Sequence, residues 1–140
     1  MNSPALPFKI ALETALRACL PLKAAMGGTV RIYTEVPQNA PLPYVVLGAD
    51  EITGDHDPCG DQHEIVSTVQ WWAKEVAGEP GSLVVRKMGC AIIGAMLAEL
   101  PIVGHSTDLW EMETPETYGT DPDGSSRGRM AARYETSALD

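Results

Sequence analysis

The sequence predicts an α+β fold in which two helices pack on a mixed or antiparallel sheet, in the order α-β-β-β-α-β-β. Residues 41–73 contain two long runs of strand-forming residues on either side of a short acidic connection, which is typical of a large β-hairpin. Apolar residues recur at helical spacing in residues 8–19 and alternate with polar residues in 127–136. The 140 residues are enough for one domain, 1–140, with its own core.

The first helix is predicted from an apolar stripe. Pro7 suits the first turn of a helix. The stripe that follows consists of Phe8, Leu12, Ala15, Leu16 and Cys19. Pro21 should break or kink this helix, residues 22–26 can add one more turn, and the pair Gly27-Gly28 supplies a left-handed stop.

The next segment is predicted to be a short strand, residues 29–33, followed by an extended linker. Pro37, Pro41 and Pro43 lie in this linker, and proline cannot donate a backbone hydrogen bond to a neighbouring strand. The linker is therefore excluded from the middle of the sheet.

The large hairpin has predicted arms at residues 44–53 and 64–73. The run Tyr-Val-Val-Leu in the first arm is apolar on both faces, which predicts that both of its faces are covered. In the returning arm Trp72 interrupts the alternation of apolar and polar residues. Either the second face is partly buried, or Trp72 points outward to contact a neighbouring subunit, because aromatic residues anchor interfaces.

The second helix is predicted at residues 83–99, with Ser82 as its N-cap. The run from Met88 to Ala98 is apolar all round, so this helix should be buried on more than one face, against the sheet and against the first helix or another chain. Gly89 and Gly94 lower its helix propensity, and close backbone packing is the usual compensation.

The chain ends in a second predicted hairpin, with a turn at residues 121–124 between strands at 106–120 and 127–136. Three arginines, Arg127, Arg129 and Arg133, share one face of the last strand. They can pair with acids on the adjacent strand, near Glu111 or Glu113, or they can meet the acidic patch of a neighbouring copy. Both possibilities are open.

Composition excludes several classes of protein. The net charge of −9 gives no general grip on nucleic acid, whose phosphates require Lys and Arg. Three cysteines at no framework spacing indicate reduced, intracellular thiols. Residues 1–8 have no features of an export signal, and the longest apolar run, residues 88–98, is too short to cross a bilayer. We expect a cytoplasmic protein until it is assembled, with no membrane association.

The tip of the large hairpin contains His56, Cys59 and His63, which are residue types that bind zinc. Their spacing matches no common zinc site, and a hairpin tip is expected to be polar, so we predict a solvated turn without metal. A small metal-binding domain is the alternative. The nearby acids are interpreted as a solvated patch, or else as a charge-matched docking surface or pore lining; they are Asp50, Glu51, Asp55, Asp57, Asp61 and Glu64.

No catalytic motif is recognisable. The sequence lacks the phosphate-binding loop, the dinucleotide fingerprint, the nucleophile elbow and the HExxH zinc motif. The glycines lie at helix stops, in turns or inside the second helix. We therefore predict that the protein is not an enzyme and that it has no catalytic residues, no metal and no cofactor.

The order of these segments resembles the small tail-terminator, or tail-completion, family of long-tailed phages and gene transfer agents. The similarity is carried by motifs that span nearly the whole chain: ALETALRACL, GGTVRIY, APLPYVVLG, a tip containing GDHD, VQWWA, the apolar second helix, and RGRMAARYET.

The resemblance implies a structural virion protein at the head–tail junction, assembled in the host cytoplasm. Such proteins form a homo-oligomeric ring, usually of six subunits, that caps the tail tube, ends its polymerisation and joins it to the head connector. The implied partners are the major tail tube protein and a connector or adaptor protein, with DNA passing through the lumen without specific binding. On the sequence we take Trp72, the three arginines of the last strand and the acids of the tip as interface residues. A head-side neck or connector adaptor, which also forms rings, is the closest alternative.

Overall fold

The structure, a computed structural model, describes residues 3–54 and 61–139. Within these residues the chain forms three helices and a five-stranded sheet of strand order β1-β2-β3-β5-β4. The elements are α1 (Ala5–Arg17), α2 (Leu20–Ala25), β1 (Ile32–Tyr33), β2 (Tyr44–Gly54), β3 (Gln62–Ala73), α3 (Gly81–Met96), β4 (His105–Thr120) and β5 (Ser126–Ala138). Strand β1 is parallel to β2 and the other pairs are antiparallel, so the sheet is mixed. The predicted fold class and element order are confirmed.

The first helical segment is interrupted as the sequence predicts. Helix α1 ends at Arg17, and α2 begins at Leu20 with Pro21 in its first turn, where the missing N–H of proline costs no helical hydrogen bond. Gly27 and Gly28 then adopt φ angles of +81° and +105°. These left-handed conformations stop the helix, because only glycine adopts them without steric cost.

The core lies between the helices and one face of the sheet. Phe8 of α1 packs on Tyr134 of β5, with ring centroids 5.0 Å apart. Trp71 of β3 is fully buried, and its indole Nε1 donates a hydrogen bond of 2.8 Å to the carbonyl oxygen of Val85 in α3. A side chain at Gly128 would meet this indole, so glycine is required where β5 passes Trp71.

Helix α3 differs from the prediction at its start. It begins at Gly81 and its N-cap is Pro80, with no side-chain cap, so the predicted capping role of Ser82 is wrong. The chain enters the helix directly from an extended proline, whose carbonyl accepts the backbone N–H of Val84 at 3.1 Å.

Helix α3 packs against the sheet and against α1 and α2, as predicted, but it is not buried all round. Met88, Ile92 and Met96 are fully buried, whereas Cys90 is exposed and a side chain at Gly94 would meet nothing within 4 Å. Close packing explains only Gly89, where a side chain would meet the hydroxyl group of Tyr118. The apolar helix therefore has one flank that its own chain leaves uncovered.

The second face of the sheet is not covered by helices either. On β2, Val45 and Leu47 are buried beneath the helices, whereas Tyr44 and Val46 on the other face are half-buried. The described part of the chain therefore provides no helical layer on the second face of this strand. Neighbouring side chains shield Tyr44, whose ring lies 5.5 Å from that of Trp72, so partial burial arises without a second layer.

Candidate subunit interface

The helix-free side of the sheet, which we call the open face, brings together residues that are far apart in the sequence. In the pairing of β3 with β5, Trp72 lies opposite Arg127, Gln70 opposite Arg129, and Val66 opposite Arg133. Directly opposed residues of an antiparallel pair point to the same side. The structure therefore places four of the predicted interface residues, Trp72 and the three arginines, on one surface.

One end of the open face is aromatic. The ring centroids of Tyr33 and Tyr44 are 5.8 Å apart, and those of Tyr44 and Trp72 are 5.5 Å apart. The indole Nε1 of Trp72 donates a hydrogen bond of 2.9 Å to Asp121, and the guanidinium of Arg127 lies 3.8 Å from the same carboxylate. We call these five residues the aromatic end. Rings held in this way present apolar area at little cost in side-chain entropy.

The phenol of Tyr44 has a raised pKa, first because of burial and then because of the negative charges of Asp123 and Asp121. Since ionisation is disfavoured, Tyr44 is a neutral hydrogen-bond donor at physiological pH. The turn carboxylate of Asp123 has a lowered pKa because the hydroxyl and N–H of Ser125 donate hydrogen bonds to it.

The other end of the open face is acidic and is organised around Arg133. Its guanidinium makes contacts with four carboxylates of its own chain. The distances are 2.5 Å to Glu111, 3.0 Å to Glu135, 3.1 Å to Glu64 and 3.9 Å to Glu113. The hydrogen bonds that Arg133 donates to Glu111 and Glu135 raise the pKa of its guanidinium, so it stays charged. We call these five residues the acidic end, in which four carboxylates surround one cation.

The two remaining arginines of β5, Arg127 and Arg129, make fewer contacts with carboxylates. Arg129 has no carboxylate within 4.0 Å in the part of the chain that the structure describes, and Arg127 has only the long contact with Asp121. Pairing with acids of the adjacent strand thus accounts for Arg133 but not for Arg127 and Arg129. The open face therefore carries two arginines with few carboxylate contacts, Arg127 and Arg129, towards the aromatic end, and excess negative charge at the acidic end.

The predicted acids of the hairpin tip are placed only in part. Asp61 is exposed and directly precedes β3 beside the acidic end, and its carbonyl oxygen accepts the N–H of Ala138 at 2.7 Å. Asp55 and Asp57 lie outside the described residues. The acidic end therefore rests on strand glutamates that the sequence pattern did not single out together.

A cavity of about 430 Å³ lies beside the acidic end. It is lined by the opposed pair His63 and Thr136, whose buried Nδ1 and Oγ1 atoms find no hydrogen-bond partner among the described residues. Thr53, Glu64, Asp108 and Glu135 are among the other residues that line it. Among residues 3–54 and 61–139, no three metal-binding side chains come close enough to hold a metal ion. His56 and Cys59 lie outside the described residues. The Nδ1 atom of His63 and the Oγ1 atom of Thr136 are better placed to bind a water molecule than to carry out a catalytic step.

Sequence reasoning missed Tyr33, Tyr44 and Asp121 as members of the aromatic end. The sequence identified Asp121 only as a turn residue, because its partner Trp72 lies 49 positions away in the chain. Counting the register of the large hairpin back from its tip would place Tyr44 opposite Ala73, and only the register shift between Leu47 and Asp50 brings it opposite Trp72. No signal in the sequence links Asp121 to Trp72.

Within the described residues, no helix has the length and apolar character required to span a membrane.

The fold and the open face together define a small α+β protein with an exposed aromatic and charged surface, which is the make-up of an assembly protein.

Comparison with known proteins identifies the class more closely. A family model described as "Tail completion protein gp17" matches residues 10–128. A chain from the virion of a native gene transfer agent particle has a similar fold, with a TM-score of 0.74 and 19% identity over 93% of this chain and 94% of that one. The gp17 protein of bacteriophage SPP1 has a TM-score of 0.60 and 18% identity over 98% of this chain and 91% of that one. No curated protein sequence matches this chain.

The family match covers most of the chain. The protein therefore belongs to the tail completion protein gp17 family and has a structural role in completing the tail of a phage or phage-like particle. The resemblance inferred from the sequence motifs is confirmed.

Proposed function

We propose that this protein forms a homo-oligomeric ring, most simply of six subunits, that caps the tail tube, ends its polymerisation and joins it to the head connector. Family membership supplies the role in tail completion. The observation that supports a ring is the separation of charge on the open face, where Arg127 and Arg129 lie at one end and four glutamates lie at the other.

Two acidic ends repel each other through their carboxylates, which disfavours the pairing of these ends. Arg127 and Arg129 of one copy are complementary in charge to the acidic end of the next, and we propose that they meet head to tail. A contact between two different patches of the same chain repeats, and it generates a ring if the rotation closes.

Trp72 is the anchor that we propose for this contact. It is half-buried, its Nε1 is already satisfied by Asp121, and it stacks on Tyr44, so binding can cover its remaining surface without leaving a polar atom unpaired. Arg127 and Arg129 would then meet carboxylates of the neighbouring acidic end and Asp61 beside it. Arg133 has a different role in this proposal, because it holds the acidic end together within its own subunit.

The net charge of −9 suits a ring through which DNA passes. An acidic wall repels the phosphate backbone, so DNA can move without being held. The two faces of the ring would bind the major tail tube protein and the connector or adaptor protein. Binding to purified tail tubes separates this proposal from a head-side adaptor, which should bind the connector alone.

Charge reversal at Arg127 and Arg129 tests the proposal. The double variant Arg127→Glu, Arg129→Glu should remain folded and become monomeric, because repulsion replaces attraction at every subunit contact. The wild-type oligomer should also weaken as salt rises, since exposed ion pairs are screened over about 8–10 Å at physiological ionic strength. Light scattering reports the mass and circular dichroism reports the fold.

A matched control is the double variant Arg17→Glu, Lys23→Glu, which changes the net charge equally on the exposed side of the helices. It should assemble like the wild type. Rings of wild-type mass from the Arg127→Glu, Arg129→Glu variant would show that these arginines do not close the ring.

A further inference from the structure

Strand β4 has an uncovered surface on the helix side of the sheet. Trp110 lies opposite Tyr134 and Met112 lies opposite Ala132, and both partners are fully buried. Since opposed residues point to the same side, Trp110 and Met112 also face the helical layer. They are nevertheless 38% and 36% exposed, because the helices lie over the inner strands and leave this edge strand bare.

The uncovered flank of α3 forms the other wall of this surface. Arg86, Cys90, Ile93 and Leu97 recur at spacings of four, three and four residues, which places them on one side of the helix. A cavity of about 410 Å³ between α3 and β4 is lined by Arg86, Cys90, Ile93, Glu116 and Tyr118. We call this groove, together with Trp110 and Met112, the β4 trough.

The trough has a defined charged end. The guanidinium of Arg86 lies 4.9 Å from the ring centroid of Tyr118. The Tyr118 hydroxyl donates a hydrogen bond of 2.6 Å to Glu116, so that carboxylate is already engaged. In the described residues Arg86 itself has no carboxylate within 4.0 Å, although it donates a hydrogen bond to the carbonyl oxygen of Ser82. An incoming carboxylate could therefore pair with Arg86.

The opposite edge of the sheet carries a projecting segment, residues 34–41, which we call the proline arm. All of its residues except Ala40 are exposed, and Val36 is 42% exposed. Pro37 and Pro41 restrict its backbone, so that little conformational entropy is lost when it binds. Glu35 is its one charged residue.

We propose that the proline arm of one copy binds in the β4 trough of the next copy. The proposal rests on the ring described above and names a contact within it. The arm follows β1 at one edge of the sheet and the trough lies at the other edge, beside β4. A contact between opposite edges repeats from subunit to subunit in the same sense around a ring.

The chemistry of the two surfaces agrees with this pairing. Val36 would cover the apolar floor formed by Ile93 and Met112, and Glu35 would reach Arg86 at the charged end. Restricted, proline-rich segments commonly bind in grooves lined by aromatic residues, which Trp110 and Tyr118 supply here.

A long strand added to β4 is a less suitable occupant. Pro115 and the register shifts at residues 107–109, 112–114 and 114–117 interrupt the regularity of this edge strand. Bulges and proline are the features by which edge strands avoid pairing with other chains. Side-chain docking in the trough does not need a continuous ladder.

A disulfide between copies tests the contact directly, because Cys90 already lies in the trough. Val36→Cys would be introduced into a chain carrying Cys19→Ala and Cys59→Ser, and the assembled protein would be oxidised. Denaturing electrophoresis without reductant should show a ladder of linked subunits. The further change Cys90→Ser should abolish the ladder, and Leu6→Cys, on the outer side of α1, should give none in place of Val36→Cys.

A second variant measures the same contact without oxidation. Val36→Asp should raise the concentration needed for half-maximal assembly about tenfold or more, the factor expected for losing one buried valine. Wild-type rings together with unchanged assembly of Val36→Asp, or with a ladder that does not need Cys90, would overturn this inference and leave the ring intact. A wild-type chain that stays monomeric at all concentrations would overturn both proposals.

Discussion

Trp71 and Trp72 are adjacent in the sequence and lie on opposite faces of the sheet. Trp71 is fully buried and its indole nitrogen donates to a backbone carbonyl of α3. Trp72 is half-buried and its indole nitrogen donates to the side chain of Asp121, in the loop before β5. Both polar atoms are satisfied, but one ring is enclosed by the core whereas the other keeps a free surface.

The contrast shows how the fold divides its aromatic residues between stability and assembly. On the covered face, glycine at position 128 makes room for Trp71, so the backbone is shaped around the ring. On the open face, Tyr33 and Tyr44 support Trp72 from one side only. Substitutions on the covered face should therefore unfold the protein, and those on the open face should alter only its association.

The largest effect is expected within α3, where Ile92 and Ile93 are adjacent in the sequence but differ in burial. Ile92 is fully buried, so Ile92→Asp should prevent folding, because an unpaired buried carboxylate costs several kcal/mol, comparable with the whole stability of a domain. Ile93 borders the β4 trough and is partly exposed, so Ile93→Asp should fold and fail to assemble. Circular dichroism and light scattering separate the two outcomes. A folded Ile92→Asp variant would mean that α3 is wrongly placed.

The tryptophans themselves give the next largest effect. Trp71→Ala should lower the free energy of unfolding by about 3–5 kcal/mol, the range for removing a large buried aromatic side chain. Trp72→Ala should lower it by less, since part of the Trp72 ring remains in water, but it should weaken the oligomer. Urea denaturation of each variant, with light scattering in parallel, measures both quantities. Equal losses of stability would contradict the distinction between the two faces.

The smallest effect concerns Asp50, which lies opposite Ser67 on the helix side of the sheet and is half-buried. Burial raises its pKa, while a hydrogen bond with Ser67 and the charge of Lys9 act in the opposite direction. A raised pKa means that the folded state binds the proton more tightly than the unfolded state. The stability contributed by protonated Asp50 is therefore present below about pH 4 and is lost as the pH rises through the folded-state pKa.

Asp50→Asn should accordingly raise the melting temperature slightly at pH 7, and the gain should disappear in acid. Glu51→Gln is the matched control, because Glu51 is the exposed neighbour on the same strand. It should show no such gain. A melting temperature that falls at pH 7 on Asp50→Asn would show that the ionised carboxylate is stabilising, through Lys9 or Ser67.

Much of the fold could be predicted from local patterns. The alternation on β5, the interruption at Pro21 and the two hairpins all follow from spacing and turn chemistry, and they appear in the structure close to the predicted positions. The boundaries of α3 were less predictable. Ser82 is a favourable capping residue, but the chain enters the helix two residues earlier than predicted, at Gly81, beneath the backbone of Ala73 and Lys74.

The sequence by itself determined which residues share a face, since side-chain direction in strands and helices follows a fixed period. Only the tertiary structure decided what covers each face. It left the flank of α3 and the side of β2 that carries Tyr44 without a second layer, it placed Arg133 among glutamates from three strands, and it joined Trp72 to Asp121. These outcomes depend on the order in which strands pair and on which side the helices pack. Both are set by contacts between residues distant in the chain, which hydrophobic periodicity does not encode.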